Sequence, residues 1–273
     1  MTWAYNEIDV YISLVDNILG EVSVDTENWA PLSDYGIIRG RPTLTPSTVE
    51  ADAIQIPGRD GNTYTVDSRR GNAKVEFEIL IADTWTHANS EFGDVRERTN
   101  LVFTYMNNAK RIAWKCPGRE ADSYFLIYKC GITITDAYEQ AQLLKISLEV
   151  HPFEWMFEGN KPELIEQGSL TVDNPFPLSR CMPVYTFSGA GSLMINGQSL
   201  YAVTASAISG NPTVVLDTWK EIVYYESGGE IKNANKYLTG DYTNLWIYEN
   251  ESVTINSSFV SNVYVYTRKG IVR

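Results

Sequence analysis

The stretch Val75-Glu76-Phe77-Glu78-Ile79-Leu80-Ile81 decides the fold class of this chain. Its apolar residues at positions 75, 77, 79 and 81 alternate with Glu76 and Glu78. Because successive side chains of a β-strand point to opposite faces, this period of two predicts a strand with one buried face. Leu144–Val150 and Val263–Tyr266 repeat the pattern. The chain is therefore predicted to be mainly β.

One segment between the first two of these strands has a different period. From about Ser90 to Lys110, apolar residues fall at helical spacing, at Val95, Val102, Tyr105, Met106 and Ala109. Polar residues occupy the remaining positions, namely Arg96, Glu97, Arg98, Asn100, Asn107 and Asn108. This spacing predicts one amphipathic helix that covers the core of the first β-domain. A helix that binds a partner is the alternative.

The strand pattern stops after His151-Pro152-Phe153-Glu154-Trp155, where Gly159-Asn160-Lys161-Pro162 has the composition of a linker. A length of 273 residues also favours two domains over one. We predict a first domain over residues 1–157 and a second over residues 158–273. In the second, Asn196-Gly197 separates short apolar runs, which is typical of a hairpin in a β-sandwich.

Charge and composition exclude several classes of function. The chain has 34 acidic and 22 basic side chains and a net charge of −12, whereas broad binding to nucleic-acid phosphates or anionic membranes needs clustered lysine and arginine. Every apolar run is shorter than the roughly 20 residues of a membrane span. The N-terminal MTWAYNEIDVYISL lacks the basic and apolar regions of a signal peptide. We expect no membrane insertion and no export signal.

The cysteines are Cys116, Cys130 and Cys181. An odd and sparse count does not indicate a disulfide framework, so reduced thiols made in a cytoplasm are predicted. A turn centred on Pro117-Gly118-Arg119-Glu120 would place Cys116 opposite Ser123 or Tyr124, and not opposite Cys130.

The sequence predicts no catalytic, cofactor-binding or metal-ligating residue. It contains two histidines, His87 and His151, and no spacing typical of a zinc or calcium site. His151 precedes a proline at a predicted strand end, where a structural role is favoured over a general base. A glycosidase stays open as an alternative, because a pair of carboxylates leaves no fixed mark in a sequence.

The turn Pro57-Gly58-Arg59-Asp60-Gly61 is the one candidate site in the first domain. Proline presets its own φ and glycine tolerates a positive φ, so the backbone is predicted to turn tightly here. The residues alone leave two interpretations open, an ordinary hairpin tip and an interface loop.

Aromatic residues are numerous in the second domain. The most prominent are Trp219, Tyr224, Tyr225, Trp246 and Tyr248. They could form a platform on which sugars stack, but ordinary packing in a core or interface is favoured, since a stacking site also needs converging polar groups.

The order of motifs along the chain resembles that of siphophage distal tail (Dit) proteins. Ile56–Gly61 resembles their IPGRDG turn, and it is followed by the alternating strand, the helix, a strand pair and the aliphatic strand that ends at Trp155. In the second half, Gly191–Gly197 resembles their GsltINGk hairpin, and Gly240–Leu245 resembles their GdfpnL turn. The similarity extends over nearly the full length.

The resemblance implies a fold and a function. The fold would be an N-terminal β-sandwich or split barrel with one helix, followed by a galectin-like β-sandwich, in the short form that lacks inserted carbohydrate-binding modules. The function would be a structural hub of the phage tail tip, and not an enzyme. Such hubs form a hexameric ring through the first domain, while the second projects outward. The turn at residues 57–61 would then lie at an interface, with Arg59 and Asp60 pairing across copies.

The resemblance also implies partners and a location. The partners would be further copies of the chain, the tail tube protein, the tail-associated tip protein and receptor-binding proteins, in a virion assembled in the host cytoplasm. DNA would pass through the ring without specific binding. Since attraction would retard a polyanion, we expect a neutral or negative inner wall. The basic segments Arg39–Arg41, Arg69-Arg70 and Arg96/Arg98 are short and interrupted, as expected for such a protein.

Two alternatives to this function remain at the level of sequence. One is a galectin-like module that binds cell-wall glycans directly. The other is also a structural hub, but of a contractile or bacteriocin-type tail.

Overall fold

The computed structural model describes residues 8–15, 20–21, 23–55, 62–82, 94–138, 140–165, 168–174, 179–196, 200–240, 245–248 and 250–272. Antiparallel β-sheets, one α-helix and short 3-10 helices make up the regular structure of these residues, which confirms the predicted mainly-β class. The chain forms two compact units. The first is built on Ser23–Glu154 together with the strand Asp9–Ser13, and the second on Trp155–Ile271.

The elements of the first unit follow in chain order. They are β1 (Asp9–Ser13), β2 (Trp29–Pro31), β3 (Ile37–Thr45), β4 (Val49–Gln55), β5 (Asn62–Arg70), β6 (Ala73–Ala82), α1 (Val95–Asn108), β7 (Arg111–Lys115), β8 (Ser123–Tyr138) and β9 (Ala141–Val150). A further strand, β10 (Phe153–Met156), lies at the boundary between the units.

The strand β8 belongs to two sheets, because it is long enough to pair with different neighbours along its length. Its first part pairs with β7, with Arg111 opposite Leu126, and β7 continues the pairing to β1 and β2. Its second part pairs with β9, which pairs with β6, which pairs with β3. The resulting four-stranded order is β3-β6-β9-β8.

The alternation in β6 is confirmed. The side chains of Val75, Phe77, Ile79 and Ile81 are at most 4% exposed, whereas Glu76 and Glu78 are partly exposed on the other face. The matching strand β9 buries Leu144, Ile146, Leu148 and Val150. Burying these side chains together supplies the main apolar core of the first unit.

The predicted helix is present over Val95–Asn108, and the predicted residues 90–93 lie outside the described ones. Asp94 caps it, because its side chain accepts a hydrogen bond of 2.9 Å from the Glu97 amide. Val102 and Met106 are fully buried against the sheet. The apolar stripe therefore covers the core of the first unit, as the spacing predicted.

Two helix assignments made from the sequence are wrong. Arg98 was placed on the polar side, but it is only 5% exposed and its Nη2 donates to the Ala82 carbonyl at 2.8 Å. A long side chain can lie along an apolar surface when its head finds an acceptor, and the end of β6 provides one here. Ala109 is buried, but it follows the helix in extended conformation, with ψ 132°.

The turn between β7 and β8 is tighter than predicted. Cys116 lies opposite Arg119, with their backbone amides and carbonyls exchanging hydrogen bonds of 2.9 and 2.8 Å, and not opposite Ser123 or Tyr124. The reason is the Pro117-Gly118 pair, since Gly118 has φ +80° and proline presets its own φ, which together favour a two-residue turn.

The described residues of the second unit form thirteen strands, which follow in chain order. They are β11 (Pro162–Leu164), β12 (Ser169–Asn174), β13 (Ser179–Cys181), β14 (Val184–Phe187), β15 (Gly191–Asn196), β16 (Leu200–Ala205), β17 (Val214–Asp217), β18 (Ile222–Ser227), β19 (Glu230–Asn233), β20 (Leu238–Gly240), β21 (Glu251–Ser257), β22 (Tyr264–Tyr266) and β23 (Lys269–Val272).

Most of these strands form two sheets that share one core. One sheet has the order β11-β22-β14-β17-β18-β19 and the other has the order β12-β21-β15-β16-β20. Tyr185 and Leu216 from the first and Leu193 and Ile255 from the second are buried in the same apolar cluster. The strands flanking Asn196-Gly197 pair as predicted, and residues 197–199 between them lie outside the described ones.

Within the described residues, no helix combines the length and apolar character needed to cross a membrane.

Candidate assembly surface

The predicted interface turn, Pro57–Gly61, lies outside the described residues. Its flanking strands are described, and β4 and β5 pair antiparallel with Gln55 opposite Asn62. Residues 56–61 therefore connect the two ends of a hairpin. Among the described strands, β4 and β5 pair only with each other. The role of Arg59 and Asp60 stays a prediction.

A second candidate surface, which sequence reasoning missed, is the outer edge of β8. Besides β9, the strand β8 pairs with β7, at Phe125 and Leu126, and with β10; from Gly131 to Tyr138 the described register shows β9 on one side and no other partner. A free edge presents unpaired amide and carbonyl groups that can pair with another chain. We call Gly131–Tyr138 the β8 edge.

The β8 strand also exposes large apolar side chains. Tyr128 is 56% exposed, Ile134 is 45% exposed and Tyr138 is 69% exposed. Among the described strands, no other carries three such residues. The three side chains do not form one patch, because Ile134 lies opposite Leu144 and Tyr138 lies opposite Ala141, on different faces of the sheet. They make the strand itself a candidate surface for a partner. The sequence signal was the alternating Ile-Thr-Ile-Thr at 132–135, which alone does not distinguish an edge from a central strand.

The start of β8 is fixed by buried polar contacts. Arg119 forms an ion pair with Glu154 and donates to the Ser123 hydroxyl at 3.1 Å, and its guanidinium lies 4.3 Å from the centre of the Trp114 ring. Arg111 is fully buried, and its Nη2 donates to the Ser13 hydroxyl at 3.1 Å. These contacts hold one end of the strand in place while its other end is exposed.

The face of the four-stranded sheet that points away from the core is polar in three of its four rows, and the fourth carries apolar residues. Cross-strand neighbours share a face, so the register places Thr45, Lys74, Glu149 and Lys129 in one row, and Arg39, Glu78, Lys145 and Thr133 in another. Thr43, Glu76, Ser147 and Gly131 form a third row, and Ile37, Leu80, Leu143 and Asp136 a fourth. We call these four rows the polar face.

The charges of the polar face are balanced. Its cationic side chains are Arg39, Lys74, Lys129 and Lys145, and its anionic side chains are Glu76, Glu78, Asp136 and Glu149. Lys74 Nζ lies 2.9 Å from Glu76 Oε1, and Lys145 Nζ lies 3.8 Å from the same atom. The hydrogen bond from Lys74 and the charge of Lys145 lower the pKa of Glu76. Asn72 donates to Glu149 Oε1 at 2.6 Å.

His151 is part of the packing at the end of β9, where the sequence indicated a structural role. Its Nδ1 accepts a hydrogen bond of 3.1 Å from the Phe153 amide, and its ring lies 5.2 Å from the Phe153 ring and 5.8 Å from the Tyr128 ring. Burial lowers the pKa of His151 to about 4. His87 lies outside the described residues.

The cysteines are free, as predicted. Burial raises the pKa of Cys130 to about 11 and that of Cys181 to about 12, so both are thiols at neutral pH. Within the described part of the chain, no three His, Cys, Asp or Glu side chains converge as metal ligands.

The aromatic residues singled out in the second unit have different surroundings. Trp219 packs against Trp155, with ring centres 5.3 Å apart, and against the guanidinium of Arg268. Trp246 donates from its indole nitrogen to the Thr218 carbonyl at 3.3 Å. Trp246 and Tyr248 flank Arg180, at 5.7 and 5.9 Å from its guanidinium. Tyr225 packs against the core. These contacts favour packing roles over one shared stacking platform.

Comparisons with known proteins place the fold. No protein-family model and no curated protein sequence matches the chain. Solved structures do match. The Dit protein of phage SPP1, described as a paradigm of the hub adsorption apparatus in phages that infect Gram-positive hosts, superposes with a TM-score of 0.60 at 12% identity, over 88% of this chain and 96% of that one.

A second match is a chain of the phage p2 baseplate in its activated conformation with Sr. It superposes with a TM-score of 0.52 at 11% identity, over 96% of this chain and 97% of that one. Identities this low show a shared fold alone. The chain therefore has the fold of phage distal tail and baseplate hub proteins, as the order of its motifs predicted.

Proposed function

We propose that this protein is a structural hub of a phage tail tip. The observation that carries the proposal is the likeness to the SPP1 Dit protein, which extends over 96% of that chain and so includes both units. In this role the protein forms a hexameric ring, joins the tail tube to the tail-associated and receptor-binding proteins, and performs no catalysis. His151, the histidine among the described residues, packs against Phe153 and Tyr128.

The proposed division of labour gives one role to each of the two predicted domains. Residues 1–157 build the ring, and residues 158–273, a galectin-like sandwich, project outward. The exposed apolar side chains of β8 support a ring built from the first unit, because assembly would remove them from water.

The decisive experiment is the mass of the purified full-length protein in solution. One copy has a mass of 30.8 kDa, so six copies correspond to about 185 kDa. Native mass spectrometry or light scattering should report this species. A protein that stays monomeric at high micromolar concentration would contradict the ring. A monodisperse monomer retained by cell-wall glycans would instead favour a glycan-binding module.

The division of labour has its own test. A fragment of residues 1–157 that is folded by circular dichroism should still form the ring. A folded but monomeric fragment, beside an oligomeric full-length protein, would assign the contacts to the other unit.

We also propose that the turn at residues 57–61 lies at an interface in this ring or against a neighbouring tail protein. Arg59→Ala and Asp60→Ala should weaken assembly and leave the thermal midpoint of the monomer nearly unchanged, because exposed turn residues contribute little to folding. Equal assembly of both variants and wild type would make the turn an ordinary hairpin tip.

DNA passage requires an inner wall that does not retain a polyanion. The balanced polar face suits such a wall, since its lysines lie beside glutamates. In a titration with duplex DNA at low salt, we expect no binding at micromolar protein. Micromolar binding that weakens steeply with added salt would reveal a phosphate-binding surface and contradict the proposal.

A further inference from the structure

We infer that Arg180, Trp246 and Tyr248 form a docking site for an acidic segment of another protein. We call these three residues the arginine clamp. The clamp binds a carboxylate of an aspartate or glutamate side chain of the partner. That the partner is a tail protein rests on the proposed function, whereas the acidic chemistry of the site rests on the clamp alone.

The backbone brings the three side chains of the arginine clamp to one face. Cys181 and Ile247 exchange backbone hydrogen bonds of 2.9 and 3.0 Å, and both of their side chains are buried. Neighbours along an extended chain point to opposite faces, so Arg180, Trp246 and Tyr248 point away from this buried pair. The guanidinium of Arg180 lies 5.7 Å from the centre of the Trp246 ring and 5.9 Å from that of Tyr248. Both rings therefore attract the cation.

Arg180 differs from the other described arginines that lie over aromatic rings. Each of the others donates to an oxygen acceptor within the chain, namely Arg111 to Ser13, Arg119 to Glu154 and Arg268 to Asp217. For the Arg180 guanidinium, the described residues supply the two rings and no oxygen acceptor. Arg180 is also partly exposed, so its N–H groups are open to an acceptor from another molecule.

The chemistry of the clamp selects a carboxylate on a protein. A guanidinium is planar, and its paired N–H donors match the two oxygens of a carboxylate. Arginine, tryptophan and tyrosine are also the residue types most enriched among the side chains that dominate binding at protein interfaces. A neutral sugar would leave the cation of Arg180 unpaired, whereas an acidic segment supplies its counter-charge.

Contacts within the chain hold the two rings in place. Trp246 donates from its indole nitrogen to the Thr218 carbonyl at 3.3 Å. The Tyr248 amide donates to a Glu251 carboxylate oxygen at 3.0 Å, and the Tyr248 carbonyl accepts from the Asn174 side-chain amide at 3.0 Å. A site that is already ordered loses less conformational entropy on binding. The clamp is therefore suited to bind even a short segment.

The test is a calorimetric titration of the full-length protein with a hexaglutamate peptide at about 150 mM salt. At this ionic strength, charges more than about 8 Å apart are largely screened, so repulsion by the net charge of −12 is weak while a direct contact at Arg180 persists. Wild type should bind hexaglutamate at least about tenfold more tightly than Arg180→Gln does, because the variant loses a charge-assisted pair of hydrogen bonds. The uncharged peptide hexaglutamine should bind to neither.

Control variants separate the clamp from charge in general. Arg96→Gln removes the same charge from an exposed position on α1 and should bind hexaglutamate like wild type. Tyr248→Leu keeps the cation and removes one ring, so it should weaken binding by about threefold. Light scattering and circular dichroism melts should report the same mass and the same thermal midpoint, within a few degrees, for wild type and all variants.

The outcomes distinguish the inference from the proposed function. Equal affinity of wild type and Arg180→Gln for hexaglutamate, in a protein that forms the ring, would overturn the clamp and leave the hub intact. A monomeric wild type that binds hexaglutamate through Arg180 would overturn the hub and leave the acidic docking site. Loss of the ring in a folded Arg180→Gln would assign the clamp to a contact between copies and overturn the inference.

A last titration tests the class of the partner. Hexagalacturonate carries carboxylates on a sugar chain and should bind more weakly than hexaglutamate. Tighter binding of hexagalacturonate that disappears in Arg180→Gln would identify an anionic glycan as the ligand and overturn the protein partner.

Discussion

Acid should destabilise this protein through His151. The imidazole is only 9% exposed, and burial lowers its pKa to about 4 from an ordinary value of 6.5. Between these two values the unfolded state binds a proton and the folded state does not. The free energy of unfolding therefore rises with pH across this window. The contribution of His151 to it is lost as the pH falls from about 6.5 towards 4.

The size of the effect follows from the two pKa values. Between pH 7.5 and pH 4.5, protonation of the unfolded state should remove about 2 to 3 kcal/mol of stability, at roughly 1.4 kcal/mol for each pKa unit. Other groups titrate in the same range, so the wild-type change alone does not isolate His151. A variant without the titrating ring provides the reference.

His151→Asn is the matched variant. Its side-chain oxygen can accept the hydrogen bond that Nδ1 of His151 receives from the Phe153 amide, and it does not titrate. Urea unfolding followed by tryptophan fluorescence, at one protein concentration and at both pH values, gives the four free energies. The loss on acidification should be about 2 to 3 kcal/mol smaller in the variant than in wild type. Equal losses, within about 0.5 kcal/mol, would show that the ring is not shielded from water and refute the reasoning.

Three further predictions concern stability and are checked by the same urea unfolding at pH 7.5. Met106→Ala should lower the free energy of unfolding by about 3 kcal/mol, because it leaves a cavity under α1. The control Asn107→Ala, at an exposed neighbouring position, should lower it by less than about 0.5 kcal/mol. Equal losses would mean that the helix does not cover the core. Glu154→Gln should lower the free energy of unfolding by about 3 kcal/mol, because it leaves Arg119 without its carboxylate partner. Glu158→Gln, at an exposed position, provides the control. An unchanged stability of Glu154→Gln would show that the ion pair contributes nothing. Gly36→Ala should cost more stability than Gly40→Ala, because a β-carbon at position 36 would lie 2.6 Å from the Leu80 carbonyl oxygen. A β-carbon at Gly40 meets open space, so the cost there is the strain of an L-residue at φ +79°, about 1 kcal/mol. The reverse order would place β3 farther from β6 than described.

The sequence alone was sufficient where a local period determines the outcome. Residues Val75–Ile81 alternate so regularly that only a strand with one buried face satisfies them, and β6 has that form. The helical spacing from Val95 to Met106 was equally decisive. The linear order of these motifs, compared with that of distal tail proteins, predicted a fold that the solved structures then matched.

Only the tertiary structure revealed the features that depend on residues distant in sequence. Residues Gly131–Tyr138 look like any amphipathic strand, and only the sheet order shows that one side has no described neighbour. The charge balance of the polar face is another example, because Lys74, Glu149 and Lys129 become one row only when three strands pair in register. Arg98 was misassigned for the same reason, since its acceptor on Ala82 belongs to another element. Periodicity reports which face of a strand is buried, and pairing determines which edge is free.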